Sequence, residues 1–260
     1  MRDILQANID SGADLGASVA VVLHGEPLVD MWGGWADHER TTPWQADTIV
    51  NVWSTTKTMM AMSALVLIDR GELDPYQKVA HYWPEFAQNG KQDIEVRHLL
   101  SHTSGVSGWD QPVVTEDLYD WEKSTSMLAA QAPWWEPGTA SGYHALNQGH
   151  LVGEVIRRIT DDVSGLSLPL DADFHIGLSP SEFSRVSPVV PPPPLPMDLA
   201  TIDLSSPMVK TFTGPAPGAE ACWTAEWRQA DIGAANGHGN ARSVARVQSA
   251  LTNGGRVGDV

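Results

Sequence analysis

Apolar positions follow two rhythms along the chain. Near the N-terminus, after a stretch at 3–11 that suits a short helix, the apolar runs 20–23 and 28–32 flank His24-Gly25-Glu26-Pro27, which predicts a β-hairpin. From Ser54 to Arg70 the period changes. Met60, Ala61, Ala64, Leu65 and Ile68 recur at helical spacing and Gly71 follows as a terminator, which predicts a buried helix. Between 73 and 159 the pattern is mostly helical, with segments at 75–83, 96–101, 117–130 and 148–159, and strands are scarce. The segment 187–196, SPVVPPPPLP, holds four consecutive prolines that lack N–H donors and fix an extended backbone, so it predicts a rigid crossing loop. A last helix is expected over 240–251, with Val244, Val247 and Leu251 on one side. The chain shows no internal repeat.

Composition narrows the function classes. At 260 residues with 42% hydrophobic and 18% charged content, the chain can bury a substantial core. The formal charge of −16 repels nucleic acid and anionic lipid, so neither is an expected partner. No run approaches the roughly 20 apolar residues of a membrane span. The opening MRDILQANIDSG has acidic and amide residues where an export signal has its apolar core, which predicts a cytoplasmic protein. A single cysteine, Cys222, excludes an internal disulfide and fits a reducing compartment.

Ser54-Thr55-Thr56-Lys57 opens the strongest helical pattern in the chain. Three residues make about one helical turn, so the Ser54 hydroxyl and the Lys57 amine can share one face, a nucleophile beside a base. Lysine is a base only when neutral, and burial at a helix N-terminus disfavours its cation. The same N-terminus directs backbone N–H groups, that of Ser54 included, at an oxyanion. Serine as a helix cap with a solvated lysine fits the same four residues. Tyr143 lies in a Gly- and Pro-shaped loop, Trp134-Trp135-Glu136-Pro137-Gly138-Thr139-Ala140-Ser141-Gly142-Tyr143-His144. A phenol near Ser54 and Lys57 could relay a proton to a leaving group; a tyrosine that packs its ring is the other reading.

Trp53-Ser54-Thr55-Thr56-Lys57, then Val96-Arg97-His98-Leu99-Leu100-Ser101-His102-Thr103-Ser104-Gly105, then Glu136-Pro137-Gly138 leading to Tyr143, together resemble the β-lactamase-related serine hydrolases in content and order. The chain looks most like their family VIII carboxylesterases, and the likeness runs from about 17 to 254, including the Gly237-His238-Gly239-Asn240 turn. The resemblance implies an α/β (α+β) fold of the β-lactamase/transpeptidase type: an antiparallel sheet domain, 1–71 with 240–260, beside a mostly helical domain, 72–239, with the site between them. It implies Ser54 as nucleophile, Lys57 as general base and Tyr143 as proton relay, acting on a small-molecule ester through an acyl-enzyme without cofactor. Trp53, Trp109, Trp134, Trp135 and His238 are candidates for the substrate pocket, although the tryptophans could equally fill core.

Several departures qualify that expectation. Many penicillin-recognising relatives have asparagine two residues after the tyrosine; here Ala145 stands there, with Asn147 two positions on. The stretch 160–173 is shorter than the family's usual helix-containing passage. Relatives continue past the equivalent of Val260 with sheet strands, one bearing a third motif that supplies the second oxyanion donor. Those C-terminal strands are expected to be missing, leaving the hairpin with unpaired edges and an uncovered face. Lys210-Thr211-Phe212-Thr213-Gly214 imitates that motif but precedes the Gly237 turn, which makes it a decoy. His98 and His102 have metal-ligand spacing, yet Leu99 occupies the position where the zincin pattern needs glutamate, so no metal is expected. The alternatives are a β-lactamase or D-amino-acid peptidase using the same trio, or a noncatalytic remnant.

Overall fold

A computed structural model of the chain describes residues 1–161, 172–191, 203 and 206–256. The elements run α1 (Arg2–Ser11), β1 (Gly16–Leu23), β2 (Glu26–Gly34), β3 (Ile49–Asn51), α2 (Thr56–Asp69), α3 (Val79–Tyr82), α4 (Val96–Leu100), α5 (Trp121–Ala130) and α6 (Gln148–Thr160). They continue with β4 (Phe174–His175), β5 (Val186–Ser187), α7 (Pro207–Thr213), α8 (Ala225–Gln229), β6 (His238–Gly239) and α9 (Ala241–Thr252). The result is a mixed α/β fold.

The hairpin forms where the alternation places it, but its strands are longer than the apolar runs. His24 and Gly25 both take positive φ, 53° and 82°, so the turn needs only two residues, and Glu26 and Pro27 join β2. Among the described residues β1 pairs only with β2. Beside it lies a small mixed sheet of order β4-β6-β3-β5, in which β5 runs parallel to β3 and β6 antiparallel. Three of its strands come from the stretch 72–239 and pair around β3, so the two parts of the chain interlock there. Asp173 and Arg185 clamp this sheet with two bonds of 2.6 Å, and the Asn240 side chain at the start of α9 reaches the same carboxylate. An apolar groove of about 680 Å³ runs between β1, β3 and α9, lined among others by Ala17, Ala20, Val50, Val52, Val189 and Val244. Helix α9 docks on the hairpin, Ala241 N–H donating to Ser18 Oγ at 3.3 Å and Arg242 to Asp30 at 2.6 Å, so the hairpin expected to be left uncovered carries a helix.

Helix α2 is central because it is buried on two sides. Met60, Ala64 and Leu67 enter the main core with Leu99, Leu151 and Trp227, while Met59 and Met62 meet Val247 and Ala250 of α9. Leu65, expected on the buried face, is exposed, because the second buried side is set by Met59 and Met62. The helix expected over 75–83 shrinks to α3, and the one over 117–130 breaks at Asp120, whose carboxylate caps α5 by accepting from Lys123 N–H. The predicted helices at 96–101, 148–159 and 240–251 appear within a residue or two. Of the proline-rich crossing loop, 187–191 is described; the rest, and the shortened passage over 162–171, lie outside the described residues.

The segment 232–239 lies flat across α2 and α6. A Cβ on Gly149 of α6 would sit 2.4 Å from the Ala234 backbone nitrogen, and one on Gly233 would sit 2.1 Å from the Met60 side chain. This contact admits no side chain on α6. Gly149→Ala is therefore expected to cost about 1–3 kcal/mol of stability through overpacking against backbone, measured as a lowered urea midpoint with unchanged m.

Candidate active site

The chain reaches α2 through a tight 3₁₀ turn over Trp53–Thr55. Trp53 is held there at φ 46°, a left-handed conformation that costs a bulky residue about 1–3 kcal/mol. Its surroundings hold it: its carbonyl accepts from Thr56 Oγ1 at 2.5 Å, and its ring packs on Trp227 with centroids 5.5 Å apart. Thr56 Oγ1 in turn accepts from Gly237 N–H at 2.8 Å, and Val52 N–H donates to the Gly237 carbonyl at 2.8 Å. A Cβ on Gly237 would lie 2.6 Å from Thr56 Oγ1, so the Gly237 turn closes directly onto the start of α2. Ser54 is thereby left exposed at the tip, its N–H in the first turn, where helical N–H groups lack intrahelical acceptors.

Lys57 is buried one turn later. Its Nζ lies 3.1 Å from Ser54 Oγ, 2.7 Å from the Ala145 carbonyl and 2.8 Å from the Ala234 carbonyl. A carbonyl only accepts, so those two take N–H bonds whether the group is ammonium or amine. The direction left over faces Ser54. In the cation it carries a third proton; in the amine it carries the lone pair, which can receive the serine proton. Burial pushes the Lys57 pKa down from 10.5 to about 8, so the neutral form is within reach near neutral pH. Ala145 thus contributes through its backbone carbonyl, of which its small side chain leaves no trace in the sequence. Asn147 is fully buried and donates to the Val106 carbonyl at 2.8 Å.

Tyr143 presents its ring to Lys57, with Nζ 5.0 Å from the ring centroid. The loop that holds it is fastened to the segment 102–105. Gly142 N–H donates to the His102 carbonyl at 2.9 Å, and His144 N–H donates to His102 Nδ1 at 3.1 Å. Further out, Gly138 N–H donates to the Thr103 carbonyl and Trp134 N–H to that of Gly105. The His102 ring packs against Tyr143 at 4.9 Å. His144 is fully buried, and burial pushes its pKa down to about 3. Neutral, it donates from Nδ1 to the Gly142 carbonyl at 2.6 Å and accepts at Nε2 from Ser104 Oγ at 2.6 Å. The Ser104 oxygen accepts in turn from Val106 N–H. Sequence inspection singled out Tyr143 but not the part played by His102 and His144; the signal was present in the histidine-rich run before Gly105.

Of the other candidates, Trp53 and Trp135 reach the clefts and three do not. A cavity of about 280 Å³ at Ser54 is bounded by Trp53, Tyr143, Leu146, Phe212 and Pro215. Trp135 lines a neighbouring cavity, its indole N–H fixed on the Ala140 carbonyl at 3.0 Å. Trp109 is core, bonded to the Ser124 carbonyl, and Trp134 lies against Gly108 and bonds Asp110. His238 is fully buried in β6, and burial pushes its pKa down to about 4. It lines neither the Ser54 cavity nor its neighbour. Lys210-Thr211-Phe212-Thr213 form helix α7, so they provide no strand donor to an oxyanion. His98 Nδ1 accepts from Glu95 N–H, and His102 Nδ1 is occupied by His144; the described residues contain no cluster able to hold a metal. Among them, no helix is long and apolar enough to cross a membrane.

Residues 1–259 match the family described as Beta-lactamase. The chain is 36% identical over 257 residues to the esterase/beta-lactamase LipL of Mycobacterium tuberculosis, covering 93% of this chain and 59% of LipL. It superposes on the crystal structure of a family VIII carboxylesterase with a TM-score of 0.91 at 42% identity, covering 99% of this chain and 70% of that one. A penicillin-binding protein homolog from Caulobacter crescentus superposes with a TM-score of 0.85 at 36% identity, over 98% of this chain and 69% of the other. The chain therefore spans less than two thirds of LipL, and by its sequence and its fold it belongs to the beta-lactamase family.

Proposed function

We propose that this chain is a serine hydrolase that cleaves small carboxylic esters through a Ser54 acyl-enzyme. The observation that carries the reading is the Lys57 amine, anchored by two carbonyls with its remaining direction aimed 3.1 Å away at Ser54 Oγ. Neutral Lys57 takes the Ser54 proton as Oγ attacks the ester carbonyl. The developing oxyanion is stabilised by Ser54 N–H at the start of α2. Collapse expels the alcohol, which takes a proton delivered through Tyr143, and water activated by the same amine releases the acid. No cofactor enters these steps.

The likeness to LipL and to a family VIII carboxylesterase supports ester as substrate. The walls of the Ser54 cavity favour it over a β-lactam: the residues that line it are Trp53, Ala145, Leu146, Phe212, prolines and alanines with Thr211, none of them charged. Among the described residues, a substrate carrying an obligatory carboxylate finds no cation there beyond Lys57, which the chemistry needs neutral. The likeness to a penicillin-binding protein homolog keeps β-lactam turnover as the reading to test in parallel.

Hydrolysis of p-nitrophenyl acetate by the purified chain, with nitrocefin alongside, tests the proposal. Ser54→Ala and Lys57→Arg are each expected to lower kcat/KM on the order of 10³-fold, since arginine keeps the charge but cannot act as a base; ester turnover that survives Ser54→Ala would refute the assignment. The pH profile gives an independent check. Lys57 is protonated and inactive below its pKa, so kcat/KM should fall about tenfold per pH unit below about 8 and level off above it; a profile flat from pH 6 to 9 would exclude Lys57 as the base.

A further inference from the structure

Two cavities meet at Tyr143. The smaller, of about 280 Å³, contains Ser54; the larger, of about 510 Å³, contains neither Ser54 nor Lys57. They share Tyr143, Thr211 and Phe212 as a common wall. An ester whose carbonyl carbon is at Ser54 Oγ has two branches, and the branch on the leaving oxygen must pass the group that protonates that oxygen. Tyr143 is that group in the mechanism above. We propose that the larger cavity is the subsite for the alcohol half of the ester, that its occupant is a bulky aromatic alcohol, and that helix α7 carries this selectivity. The assignment rests on the Ser54–Lys57–Tyr143 reading.

The construction of the cavity supports an aromatic occupant. Trp135 forms one wall and is fixed rather than loose: its indole N–H is bonded to Ala140, and its ring lies so close to Gly142 that a Cβ there would be 2.4 Å away. A rigid aromatic face needs little ordering when it receives a ligand. Opposite it stands α7, which is latched by its polar side. Thr211 Oγ1 donates to the Pro207 carbonyl and accepts from Ser107 Oγ, both at 2.8 Å, and Lys210 Nζ sits 5.2 Å over the Trp134 ring. That latch turns Met208 and Phe212, four residues apart and therefore on one face, toward the cavity. They are 66% and 57% exposed, an arrangement that water disfavours and an apolar ligand would relieve. No charged residue lines the cavity among those described, so the occupant is neutral. It is also the larger of the two spaces, which makes the alcohol the bulkier half of the substrate.

Ser141 lines this cavity but not the Ser54 one, and it is exposed, so Ser141→Trp fills the subsite without disturbing the core. The expected result is that kcat/KM for 2-naphthyl acetate falls about 10-fold or more relative to methyl acetate. The dependence on acyl length in a series of phenyl esters should be unchanged. Met208→Ala, which removes an opposing wall, should also narrow the preference for naphthyl over methyl. Equal losses for both acetates, or a shift in acyl-length preference instead, would overturn the assignment. Equilibrium dialysis of 2-naphthol against the wild-type chain and Ser141→Trp separates this from failure of the catalytic reading. Saturable binding that is lost in Ser141→Trp supports the subsite; binding indifferent to the substitution overturns it, even in a chain that turns over ester. Absence of ester turnover and of Ser54 labelling by a fluorophosphonate would refute the catalytic reading, and with it the alcohol assignment, whatever the dialysis shows.

Discussion

The constraint on which the structure depends is the desolvated Lys57 amine. A lysine taken out of water must find partners for its N–H groups, and the two that it finds come from distant parts of the chain, Ala145 before α6 and Ala234 before β6. Both segments must therefore arrive at the same turn of α2. The bare glycine surface at Gly149 and Gly233 lets one of them lie close to α2 and α6, and the His102–His144 pairing fixes the other. Much of the polar construction around the core serves this meeting. Asn51, for instance, donates to the Ala235 carbonyl and accepts from Trp227, tying β3 to α8 and the 232–239 segment together.

Lys91 shows that burial alone does not make a base. It too is fully buried, and burial pushes its pKa down to about 8. But its three N–H directions go to the carbonyls of Gln88, Ala129 and Gln131. Losing a proton would leave a buried carbonyl facing a lone pair, and no hydroxyl stands in position to be activated. What distinguishes Lys57 is the third direction, given to Ser54. The pKa makes the chemistry accessible; the choice of partners decides whether any chemistry follows.

The parts of the fold that were legible in the sequence are those written in local patterns. The hairpin, α2, α4, α6 and α9 follow from paired apolar runs around a turn, from helical spacing and, for α2, from Gly71 at its end. The small sheet was not legible, because strands of two or three residues such as β5 and β6 carry no period and exist only through partners far away in sequence. At the site, the Ser54–Lys57 spacing was legible because one helical turn relates them. The Ala145 and Ala234 contacts were not, since a backbone carbonyl leaves no mark on residue type. Trp109, Trp134 and His238 were misplaced for a similar reason: residue type announces a capacity to bind an apolar ligand, but whether the ring meets ligand or core depends on tertiary neighbours.

The site and the groove beside β1 are held by largely different elements. The groove at β1 is bounded by the hairpin, β3 and α9, whereas Ser54, Lys57 and Tyr143 are held by α2, α6, the 102–105 segment and the 232–239 segment. Among the described residues the two are bridged at the start of α2, where Val52 and Thr55 line the groove and Ser54 lines the cleft, and by the 232–239 segment, which carries the Ala234 carbonyl to Lys57 and Gly239 to the groove. Since Trp53 is braced by Thr56 and Trp227, the geometry of Ser54 and Lys57 depends on the helical core and on the 232–239 segment that crosses it.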